Sequence, residues 1–67
     1  MNKWLMGLFS ADEVRKGGIV RRRVRDVNKC SSLKDLKKEV GRRGFHLFRT
    51  GNQYIVVCNK GDLRFYL

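Results

Sequence analysis

Between Arg15 and Arg43 the chain carries twelve of its sixteen lysines and arginines, opposed there only by Asp26, Asp35 and Glu39. Like charge at this density resists compaction, so any fold must hold these segments at the surface with one side in water. A folded chain that keeps such a run is expected to use it on a polyanion. The densest stretch is Arg21-Arg22-Arg23-Val24-Arg25. Arginine suits phosphate because its planar fork donates two parallel hydrogen bonds.

The remaining residues must supply a core, and 67 residues allow only a small one. A chain this short buries about 60% of its unfolded surface. Seven aromatics and a hydrophobic fraction of 42% are nonetheless too rich for a disordered tail. One α+β domain is expected over residues 1–67, with a helical N-terminal segment at 1–16 and a basic α+β core at 18–67. A homodimer would bury more surface. Cys30 and Cys58 lie far apart with a single histidine in the chain, which rules out a zinc site of the usual donors. They read as reduced thiols, and no metal or other cofactor is expected. The apolar run after Lys3 is too short for a signal peptide or a membrane span, so the chain reads as cytosolic with no membrane partner.

Trp4, Leu5, Leu8 and Phe9 form an apolar stripe, and Ser10 followed by Glu13 spells a capping box. Residues 2–16 are therefore expected as helix, in two short pieces ending at Gly17-Gly18. Trp4, Leu8 and Phe9 could pack inward or anchor a partner. Residues 19–29 fit either period: four β-branched residues favour an edge strand, whereas Val20, Val24 and Val27 also align on a helix. The strand is preferred. Residues 32–43 read as the clearest helix, with Ser32 and Asp35 at its start, Leu33, Leu36 and Val40 on one side, and Gly44 at its end.

Three strands should follow in an antiparallel meander, Phe45–Arg49, Gln53–Cys58 and Leu63–Leu67. With three-residue loops, Arg49 pairs with Gln53 and Cys58 with Asp62. That parity puts Phe45, Leu47, Ile55, Val57, Leu63, Phe65 and Leu67 on the core face. The other face then carries His46, Phe48, Tyr54, Val56, Cys58, Arg64 and Tyr66. It is expected to lie under the N-terminal segment, with a dimer contact or base stacking on Phe48, Tyr54 and Tyr66 as alternatives.

Catalytic chemistry finds little support. His46 is the sole histidine, and although Cys58 shares its expected face, no third group orients the pair. No Gly-rich phosphate loop, nucleophile elbow or carboxylate pair is present. The order helix, Gly44-Phe45, strand, glycine turn, strand resembles the HicA type of small RNA-cleaving toxin, with its double-stranded-RNA-binding-like fold. That family places a histidine just after the turn glycine. Here the turn reads Thr50-Gly51-Asn52-Gln53 and His46 precedes it, so the activity does not carry over.

The expected function is non-enzymatic: a small regulatory or accessory protein that binds nucleic acid through phosphate, DNA slightly ahead of RNA. Arg21, Arg22, Arg23 and Arg25 would form one part of the surface, and Lys34, Lys37, Lys38, Arg42 and Arg43 the other. The alternative is an inhibitor or adaptor, of the type met in phages and mobile elements, docking on an acidic protein.

Overall fold

The computed structural model describes residues 2–67. Asn2 starts the first helix, α1 (Lys3–Phe9), by accepting from the Leu5 amide at 2.8 Å. Ser10 ends it, its amide bonding back to Gly7 and its hydroxyl donating to the Met6 carbonyl. The expected capping box therefore does not form. Ala11 precedes the four-residue α2 (Asp12–Arg15) and offers no side chain to cap it. Gly17, at φ +72°, takes the left-handed conformation that releases the chain into β1 (Ile19–Arg23).

The basic stretch is both strand and helix. β1 stops at Arg23, and α3 (Val24–Cys30) begins at once. Partner length sets this boundary. β1 pairs with β3 (Gln53–Val57), and Arg23 meets Gln53, the first residue of that strand. The Val24 amide then bonds to Asn52 in the loop at 2.8 Å. Beyond that point no strand remains to take backbone bonds, and a helix satisfies them internally. Val27, from the helical reading of this stretch, is fully buried. The last helix, α4 (Leu33–Arg43), matches its expected bounds. Ser32 accepts from the Asp35 amide at 3.1 Å, and Gly44 caps the end at φ +72°.

β2 (His46–Thr50) and β3 form a hairpin whose loop has two residues, Gly51 and Asn52, rather than three. Gly51 takes φ +57° at the first loop position, where two-residue loops commonly place glycine. Thr50 thus pairs with Gln53, one residue away from the expected register. A slip of one reverses every side chain of β3 relative to β2. Tyr54, Val56 and Cys58 turn inward beside Leu47, while Ile55 and Val57 turn outward beside His46 and Phe48.

The sheet order is β1-β3-β2, all antiparallel, so the basic strand lies at an edge as expected. The third strand of the meander is corrected: Leu63–Leu67 form no strand. β1 already occupies the free side of β3, and the Cys58 amide is taken by the Gly18 carbonyl at 2.8 Å. The C-terminal segment instead touches the outer face near β2. There Phe65 meets Phe48 edge to face at 5.9 Å, and the Gly61 carbonyl lies 2.7 Å from His46 Nε2.

Leu5, Leu8, Phe9 and Val14 of the N-terminal helices share one buried cluster with Val27, Leu36, Val40 and the inward residues Val20, Tyr54, Val56 and Cys58. All four helices therefore lie on one side of the sheet, in a two-layer α+β arrangement. The N-terminal segment covers the inner face together with α4. It does not cover the face that carries His46 and Phe48.

Candidate nucleic-acid interface

Helices α3 and α4 are joined by Ser31 and Ser32 alone, and each buries a side chain completely beside the joint, Val27 and Leu36. The amide of Ser31 bonds back to Val27 and that of Leu36 to Ser32. A hydrogen bond from Asn2 Nδ2 to the Cys30 carbonyl ties the start of α1 to the same joint. A turn of two residues thus joins the two helices, a connection that αα-hairpins and helix-turn-helix units share.

The exposed side of α4 explains why this unit matters. Leu33, Leu36, Glu39 and Val40 face the core. Lys34, Lys37, Lys38, Gly41 and Arg42 are exposed at i, i+3, i+4, i+7 and i+8, a continuous stripe on one helix face. Among the described residues none of the three lysines has a carboxylate within ion-pair distance.

Arg42 and Arg43 differ from those lysines. Glu39 is buried, and Arg42 donates Nε and Nη2 to its two oxygens at 3.0 and 2.6 Å. Arg43 Nε donates to Glu39 Oε2 at 2.6 Å, and its guanidinium lies 4.6 Å from the centre of the Phe9 ring. The Arg42 hydrogen bonds, with help from Arg43, hold the Glu39 carboxyl at a pKa of about 2 against the opposing effect of burial. One buried anion thus anchors both arginines. Arg43, half-buried, belongs to the core rim, whereas Arg42 stays largely exposed at the end of the stripe.

The arginines of β1 are divided by the strand's own alternation. Val20 is buried, so Arg21 and Arg23 stand on the outer face with Ile19. Arg22 lies half-buried at the inner rim opposite Tyr54, donating Nη1 to the Arg21 carbonyl. Arg25 is exposed in the first turn of α3. The expected single surface joining strand and helix is therefore not what forms. Arg21 and Arg23 are on the sheet side of the core, and Lys34, Lys37 and Lys38 are on the helical side.

The aromatic candidates separate in the same way. Tyr54 was expected on the outer face, but the hairpin register buries it and removes it from any stacking role. Phe48 does lie outward, half-buried against Phe65, while Tyr66 is exposed in the C-terminal segment. Leu8 and Phe9 are buried in the chain's own core and Trp4 packs against it, so they are not an exposed partner anchor. His46 and Cys58 are on opposite faces of the sheet, contrary to the expected placement. Burial pushes the Cys58 thiol up from its ordinary pKa, the reverse of what a nucleophile needs. Both cysteines are unpaired thiols, Cys30 exposed and Cys58 buried.

Arg49 is a further cation that the sequence pattern hid among core positions. It shares the inner-face parity of Leu47, yet it is exposed, with its guanidinium 6.0 Å from the Tyr54 ring centre and Nε donating to the Gly51 carbonyl. It therefore sits at the hairpin loop on the helical side of the sheet. Among the described residues no helix is long and apolar enough to cross a membrane.

Comparison of the chain with known protein families, curated proteins and solved structures gives no match. The HicA resemblance rests on the helix-strand-turn-strand order alone.

Proposed function

We propose that this chain is a small DNA-binding regulatory or accessory protein that presents α4 to the duplex. The observation that carries this reading is the stripe of Lys34, Lys37 and Lys38, unpaired among the described residues, on the second of two helices joined by a two-residue turn. A helix with its side chains is about 10–12 Å across and the DNA major groove is about 12 Å wide, so α4 fits it. The major groove of duplex RNA is deep and narrow, which favours DNA. Arg42 extends the stripe, and Arg49 at the hairpin loop supplies a flanking phosphate contact on the same side. The stripe offers lysines and no Asn or Gln for bidentate pairing with adenine, so contacts to phosphate dominate over base reading.

In this reading Glu39 has a positioning role: it fixes Arg42 through two hydrogen bonds and leaves one edge of the guanidinium outward. His46 and Cys58 take no part, and the protein acts without catalysis.

Fluorescence anisotropy on duplex DNA and duplex RNA tests the proposal. DNA should bind more tightly, and replacing Lys34, Lys37 and Lys38 by alanine should weaken binding by roughly tenfold or more at moderate salt. Undiminished affinity in that variant would remove α4 from the interface. An acidic protein could use the same lysines, and a pull-down repeated after nuclease digestion separates the two. A partner retained without nucleic acid favours the protein.

A further inference from the structure

The densest cationic run of the chain is not on the α4 side, and its position has a separate use. Arg21 and Arg23 are exposed on the outer face of β1, beside Ile55 and Gln53 of β3, and neither is ion-paired among the described residues. Arg25 is also exposed and unpaired, at the start of α3. Two arginines spaced two residues apart on a strand project from the same side, about 7 Å from one another along the chain. Forked guanidiniums in such a row bind successive phosphate oxygens bidentately.

Arg21 and Arg23 project from the outer face of the sheet, whereas α4 packs on its inner face. A groove about 8.5 Å deep takes in the helix and no more. The hydrophobic core, with Leu36 and Val40 on one side and Val20 and Val56 on the other, lies between the two cationic sets.

We infer that the outer face of β1, through Arg21 and Arg23, binds a second segment of nucleic acid, so that one molecule bridges two duplexes. The inference rests on the proposal that α4 takes the first. It accounts for a charge density that a single helix in a groove does not require. Bridging also relieves the mutual repulsion of the two sets, since each meets its own polyanion.

A bead assay tests it. One duplex is immobilised, the protein is bound, and capture of a fluorescent second duplex is measured while sedimentation reports the protein's oligomeric state. Wild-type protein should capture the second duplex as a monomer. R21A/R23A should keep affinity for a single duplex within about twofold but lose capture by about tenfold, as two phosphate contacts disappear. Absence of capture by the wild type overturns the inference. So does capture that survives R21A/R23A, or capture confined to a protein dimer. Failure of the α4 reading is distinct: it appears as unchanged single-duplex affinity in K34A/K37A/K38A. Thermal melts of both variants verify folding, which these exposed positions should not disturb.

Discussion

Glu39 shows how a single buried carboxylate organises a basic helix. Its pKa of about 2 in the folded protein lies below the ordinary 4.5. A lowered folded-state value means stability that is fully present above about 4.5 and is lost as pH falls toward 2. Thermal melts from pH 5 down to pH 2 should show this decline, and Glu39→Gln should flatten it while lowering stability at neutral pH. A variant whose acid profile matches the wild type would show that the Arg42 and Arg43 bonds do not persist in solution. Gly41 makes a different point. A Cβ there meets nothing within 4 Å, so the fold does not demand glycine, which costs about 1 kcal/mol relative to alanine in a helix. It lies on the lysine stripe, where in the proposed docking the missing side chain would let α4 approach a duplex closely. Gly41→Ala should raise the melting temperature and weaken DNA binding. Gly7→Ala, equally open but on α1, should raise the melting temperature with no change in affinity.

At the scale of elements, what was legible in the sequence was what local chemistry decides. Ser32 and Gly44 mark the ends of α4 because a cap and a left-handed residue act within a turn of their own position. The Gly17-Gly18 stop was readable for the same reason, and the N-terminal segment does divide in two, although the Ser10–Glu13 capping box that suggested the break does not form. The hairpin register was not, because Gly51 and Asn52 both tolerate positive φ and the two loop lengths differ by a single residue. That choice moved Tyr54, Val56 and Cys58 inward and Ile55 and Val57 outward. The break between β1 and α3 was also hidden, since it depends on where a partner 30 residues away runs out. The left-handed Gly51 is testable: Gly51→Ala should cost about 1 kcal/mol, or about 4–8 °C in melting temperature for a domain this small. An unchanged melt would mean that the two-residue loop is not formed.

For the whole molecule, the arrangement of charge was the least legible quantity of all. The sequence placed nine cations near one another, whereas the fold puts three lysines on one side of the core and Arg21 and Arg23 on the other. Arg42 and Arg43 are held by Glu39, which no local pattern singled out as buried. The proposed docking is on the helical side, where Lys34, Lys37 and Lys38 have no ion-pair partner among the described residues. Its most direct test is the salt dependence of binding to one short DNA duplex, for the wild type and for K34A/K37A/K38A. Each lysine that neutralises a phosphate contributes about −0.9 to the slope of log K against log salt. The wild-type slope should therefore exceed that of the variant by between 2 and 3 in magnitude, about three phosphate contacts. Equal slopes would contradict the account, because α4 would then release no counterions and would not be where the duplex lies.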